Sequence, residues 1–234
     1  MTDYRSIEQR LTDTLQLRRR PVAIAFRDDP PRGVAKLQGT QPSGCSFWAI
    51  AATGRTFYTV PADHYNCPIG SYTHNIPLPA ERQHELQDTL GLMGELGYIR
   101  LEEVGSVPRL SKTPAVTVYA PLGDTPVHPD AVVITGTPAG LMLLHEAALR
   151  LGKSSVPMLG RPTCMAIPAA MAHGLASSLG CIGNRVYTSI SDDEFYTVAR
   201  GTDLGELMNE MATITAANVT LAEYHRERRA VLAT

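Results

Sequence analysis

Cys67 stands three residues after His64 and seven before His74, in the run His-Tyr-Asn-Cys-Pro-Ile-Gly. A thiol flanked in this way could ligate a metal beside an imidazole, or act as a nucleophile with a histidine as its base. Three more cysteines are present, Cys45, Cys164 and Cys181. All four stand at turns or element boundaries close to glycine or proline. None lies inside a strongly apolar strand or helix, where an inert cysteine packs as a small hydrophobe.

Cys45 (Ser-Gly-Cys) and Cys164 (Arg-Pro-Thr-Cys) each precede an expected helix. Free N–H groups and the helix dipole favour a thiolate there. Cys67 and Cys181 lie in glycine-containing turns, where backbone can approach a bound group and donate N–H to sulfur. A proline beside Cys67 stiffens its loop. Four thiolates suffice for Zn²⁺ or for an iron–sulfur cluster. No Cys-x₂-Cys spacing occurs, which excludes zinc ribbons and bacterial ferredoxins. The ligands must therefore converge from loops remote in sequence. That suits a functional cluster on a preformed fold better than a stabilising zinc clip, which a chain of 234 residues does not need.

The competing reading makes Cys67 a catalytic nucleophile, with His64 or His74 as base and Asp63 or Asn75 to orient it. These residues are all local, whereas such triads normally assemble from distant segments. His145, on an apolar helix, and His173, near a helix end, read as structural. His84, His128 and His225 read as surface residues. No G-x-S-x-G, G-x-G-x-x-G, Walker A or H-E-x-x-H motif occurs, which argues against common hydrolase, dinucleotide and nucleotide sites. The acidic run from Ser191 to Glu194 reads as a solvated turn.

The bulk properties are those of a soluble globular chain: 44% hydrophobic, 19% charged, net charge −2. No basic excess points to nucleic acid. Arg18 to Arg20 and His225 to Arg229 form short basic runs, read as solvated helix ends. No apolar run long enough to span a membrane is present, and the amphipathic opening has no secretory h-region, so a cytoplasmic location is expected. Thiols stay reduced in that compartment, which favours metal or chemistry over disulfides.

Around the cysteines, strands are expected at "VAIAF", "TFYTV", "AVTVYAPL", "DAVVITG" and "RVYTSI". Helices are expected near Tyr4 to Leu17, "SFWAIAATG", "PAERQHELQDTLGLMGEL", "AGLMLLHEAALRLG", "MAIPAAMAHGLA" and over 203–229. The "DDEFYTVA" run is a further element. This is an α/β or α+β pattern with a mixed sheet. Each half places one cysteine before a helix and one in a turn, which suggests two pseudo-equivalent halves, about 21–110 and 111–200. An N-terminal helix over 1–20 precedes a single domain over 21–234, made of these two halves and the C-terminal helix over 203–229.

Several stretches in order, "LRRRPVAIAF", "GCSFWAIAATGRTFYTVPADHYNCPIGSY", "PDAVVITGTPAGLMLLHEAAL", "RPTCMAIPAAMAHG" and "SLGCIGNRVYTSISDDEF", resemble domain of unknown function family 169. The resemblance runs from about Leu15 to Gly201. It implies that Cys45, Cys67, Cys164 and Cys181 lie in the family's recurring motifs, and it supplies no activity. One departure stands out: relatives often read His-Tyr-Cys-Pro-Gly-Gly, where this chain inserts Asn66 and has Ile69 in place of the first glycine.

The sequence expectation is thus a centre, most simply of 4Fe–4S type, held by the four cysteines. His64, Tyr65 and His74 are expected to line an adjoining pocket for a small-molecule ligand. A sensor carrying a haem or corrinoid is an alternative. A redox partner and a homodimer are compatible with the sequence; nucleic acid and membrane are not expected.

Overall fold

The computed structural model describes residues 2–158 and 162–232. Arg161, in the Arg-Pro-Thr-Cys motif, lies outside them. Helix α1 (Tyr4–Leu15) leads to strand β1 (Val22–Arg27). Then follow α2 (Gly44–Ala52), β2 (Phe57–Thr59), α3 (Pro68–Thr73), α4 (His84–Glu95) and β3 (Val116–Pro121). The second part contains β4 (Ala131–Gly136), α5 (Pro138–Arg150), β5 (Ser154–Met158), α6 (Ala166–His173), β6 (Gly174–Ser178), α7 (Ile182–Thr188) and β7 (Phe195–Arg200). Helix α8 (Leu204–Leu232) ends the described chain.

Among the described residues, one mixed sheet holds seven strands in the order β2-β3-β1-β4-β7-β6-β5. Five of its pairings are antiparallel, and β5 lies parallel to β6. In the first half, β3 lies between β1 and β2 and runs antiparallel to both. In the second, β7 lies between β4 and β6 in the same way. β1 and β4 join the halves, antiparallel to each other.

The helices follow the same plan. α2 precedes β2 and α3 follows it; α6 precedes β6 and α7 follows it. Two insertions break the likeness. The second half adds α5 and β5 after β4. The first half adds residues 74–115, including α4, where the second has only 189–194.

Strand sequences that are apolar at every position are buried on both faces. Val22 and Ile24 of β1, and Ala131 and Val133 of β4, face α2 and α6, packing among Phe47, Trp48, Ala166 and Ile167. The alternating residues Ala23, Val132 and Ile134 face the opposite layer, built from α1, α5 and the first turns of α8. Side chains at Leu204, Leu207, Met208, Met211 and Ile214 of α8 are buried at helical spacing. Beyond Ile214 the helix is mostly exposed, with Thr215, Asn218 and Ala222 half-buried.

Three expectations need correction. "RVYTSI" is not a strand: its first residues belong to α7. Asn184 and Thr188, four apart, face inward, the Thr188 hydroxyl donates to the Asn184 carbonyl (2.8 Å), and Val186 and Tyr187 face outward. Tertiary packing overrides the β propensity of Val-Tyr-Thr. Second, "MAIPAAMAHGLA" is only partly helical. α6 stops at His173, and Gly174, with φ of 99°, turns the chain into β6, which the small residues of "GLASS" conceal. Third, "PAERQHELQDTLGLMGEL" opens as a single 3₁₀ turn, and the α4 that follows contributes no buried residue to the core.

Among the described residues, no helix is long and apolar enough to cross a membrane.

Candidate functional site

The four cysteines come from four segments, two in each half. Cys45 is the second residue of α2, whose N-terminus is capped by the Ser43 hydroxyl, accepting from the Ser46 N–H (3.2 Å). Cys67 is the N-cap residue of α3, with Pro68 preset for the first turn. Cys164 sits in the 3₁₀ turn Thr163–Met165 that runs into α6. Cys181 is the N-cap residue of α7. The turn pair thus occupies equivalent caps, and the pre-helical pair equivalent entries to α2 and α6.

All four side chains line one cavity of about 800 Å³. Cys45 and Cys164 are buried, Cys67 and Cys181 half-buried, and all four are free thiols. They are close enough that each charged thiolate would oppose the ionisation of others: Cys164, Cys67 and Cys181 all act on Cys45. Cys67 and Cys181 likewise act on Cys164. Among the described residues, no three Cys, His, Asp or Glu side chains stand close enough to hold one metal ion.

Sulfur-directed donors surround the thiols. The backbone N–H groups of Gly44 and Gly70 point at the Cys67 sulfur, tying the Cys45 and Cys67 segments together. A side chain at Gly70 would crowd this arrangement, because a Cβ on it would stand 2.9 Å from that sulfur. In the second half, the Cys181 N–H donates to the Thr163 hydroxyl (2.6 Å). The Thr73 hydroxyl faces Cys164. Asn184, 1% exposed, is turned toward the Cys45 sulfur and the Tyr196 hydroxyl, yet neither its Nδ2 nor its Oδ1 reaches a hydrogen-bond partner.

The thiols themselves behave differently from the sequence expectation. Burial pushes Cys45 well up from its ordinary pKa, and raises Cys164 and Cys67 as well. Desolvation of the thiolate outweighs any help from the helix N-termini, so these sulfurs hold their protons unless a cation compensates.

His64, Tyr65 and His74 are not among the residues lining this cavity. His64 is buried, with Nε2 bonded to the Thr59 hydroxyl (2.8 Å) and its ring against Phe47. Burial, assisted by nearby His74, lowers its pKa to about 3. His74 donates from Nδ1 to the Gly70 carbonyl (3.0 Å), and burial lowers its pKa to about 4. Burial thus favours the neutral form of both imidazoles, and the His74 Nε2 is buried without a hydrogen-bond partner. Tyr65 is half-buried. His145 bonds the Thr197 hydroxyl through Nε2 (2.9 Å), and His173 is exposed at the end of α6. In the acidic run, Asp193 pairs with Arg18 at 2.7 Å.

Sequence reasoning missed Asn184, Thr73 and Thr163, and the cavity wall made by α4. Asn184 carried a usable signal: it stands three residues after a cysteine, as Gly70 does after Cys67, and in a helix that opens at the cysteine this spacing returns to the same face.

Comparison with known proteins places the chain. The family model described as an uncharacterised ArCR family, domain of unknown function family 169, matches residues 10–210. The chain belongs to that family. It is also similar to the uncharacterised protein MJ0308 of Methanocaldococcus jannaschii, with 25% identity over 207 residues, covering 83% of this chain and 87% of that protein. No solved structure matches.

Proposed function

We propose that this member of family 169 binds a 4Fe–4S cluster through Cys45, Cys67, Cys164 and Cys181, and uses it for redox chemistry or activation of a small-molecule ligand. The observation that carries the reading is the convergence of the four thiols, from four separate segments, on one cavity. Features of the surroundings support a cluster over a thiol nucleophile or a haem. The N–H groups of Gly44 and Gly70 supply the hydrogen bonds to sulfur that tune cluster potentials. A nucleophilic Cys67 would need an easily formed thiolate, yet burial raises its pKa, and His64 Nε2 and His74 Nδ1 are already engaged with Thr59 and Gly70. They also lie off the cavity, so a haem or corrinoid would find no histidine ligand among the described lining residues.

The iron–sulfur core would supply electron transfer or Lewis acidity. The chain's own residues hold the thiolates, shield them from water and direct donors at them. Anaerobic purification with iron and sulfide analysis tests the reading. About four irons per chain with matching sulfide is the expected result, and each single Cys→Ser change should lower it. Trace iron after anaerobic reconstitution, or retention of full iron by all four serine variants, sinks it.

A further inference from the structure

Resting on the cluster reading, we propose that the cavity above the sulfurs takes an uncharged, predominantly apolar organic molecule with one polar end that reaches Asn184.

The cavity, at about 800 Å³, is in the range of sites that enclose whole organic ligands. Its outer wall is α4, which lends Leu86, Leu90 and Met93 to the lining but buries none of its residues in the core. Ile182 and Tyr187 of α7 form the facing wall. A helix that contributes nothing to either main core, yet keeps an apolar face turned to a cavity, is built for what the cavity holds. The insertion over 74–115 points the same way. It has no counterpart in the second half, where 189–194 connects α7 directly to β7, so it is an addition to the repeated plan, placed over the thiols.

The charge pattern selects the ligand class. Among the described lining residues only Arg100 and Glu103 are charged, and they pair with each other at 2.6 Å. An anionic ligand would lose its hydration, gain no counter-ion and face the thiolate-rich end of the cavity, whereas an uncharged apolar one gains from desolvation. Asn184 supplies the polar exception. It is buried at the cysteine end of the cavity with both amide atoms unpartnered, an unfavourable state that a ligand carbonyl or hydroxyl would relieve.

Titration with Nile red, an uncharged apolar dye, into anaerobically purified protein tests the site, with iron measured on the same samples. Saturable binding of one dye per chain is expected, weakened at least about tenfold by Leu90→Glu or Met93→Glu, since each places a carboxylate in the apolar wall. Far-UV dichroism verifies that these variants stay folded. Val219→Glu, on the exposed part of α8, should bind as the unaltered protein does. Absence of saturable binding overturns the proposal. So does binding insensitive to both α4 variants, or sedimentation showing a second copy seated on the α4–α7 face with the dye excluded. Dye binding that is sensitive to Leu90→Glu in protein that takes up no iron removes the cluster and keeps the apolar site.

Discussion

At the scale of single residues, the proposed cluster would depend on groups that are not themselves its ligands. Gly70 lies so close to the Cys67 sulfur that Gly70→Ala must displace one or the other. This variant should fold, since the change is local, but show clearly lower iron content after reconstitution and a shifted visible spectrum. The two buried histidines make a separate prediction about stability. Each is neutral in the folded protein, with pKa depressed to about 3 for His64 and about 4 for His74, against an unfolded value near 6.5. Between those limits the unfolded chain binds more protons, so stability rises with pH and is lost on acidification below about 6.5. The limiting slope is about 1.4 kcal/mol per pH unit for each histidine. Urea unfolding of a His64→Gln variant across pH 4 to 7 should give a shallower dependence, with the buried Thr59 hydroxyl keeping a polar partner.

At the scale of elements, α8 divides into a packed portion and a projecting one. Met208 is buried against the α1–α5 layer, so Met208→Ala should cost about 2–5 kcal/mol in denaturant unfolding. Asn218 ties α8 back to the body through a 2.8 Å bond from its Nδ2 to Glu146 on α5. Truncation after Thr220 should therefore change the melting temperature little, whereas truncation before Leu207 should abolish folding. How well elements can be read from sequence follows from how they are stabilised. β1, β3 and β4 announce themselves because both faces are buried, giving continuous apolar runs. β6 stays hidden because its residues are small and its neighbours, not its own propensity, make it a strand. α7 was obscured for the converse reason: strand-forming Val186 and Tyr187 lie on its outer side. The cysteines could be singled out by their company of glycine and proline, which local chain geometry demands. The α4 wall could not, since its apolar spacing looks like that of any core-facing helix.

At the scale of the whole molecule, the two apolar layers on either side of the sheet are complete without any inorganic group. The iron-free protein should therefore keep its far-UV dichroism, with a melting temperature lower than that of the loaded form by the linkage due to binding. Small zinc domains, which unfold on chelation, would behave in the opposite way. Raised thiol pKa values add a second signature of the proposed cluster: loading would expel protons from Cys45, Cys67 and Cys164, so apparent affinity for iron should increase with pH across the neutral range. Metal content of samples reconstituted at graded pH measures this directly.

The even spread of the cysteines over the two halves also sets a schedule for maturation. A ribosome must release the segment around Cys181, and β7 must slot between β4 and β6, before the last sulfur faces the first. On the cluster reading, whatever delivers iron and sulfide would meet a finished globule, and would pass its cargo into the cavity walled by α4 instead of wrapping a nascent chain around it.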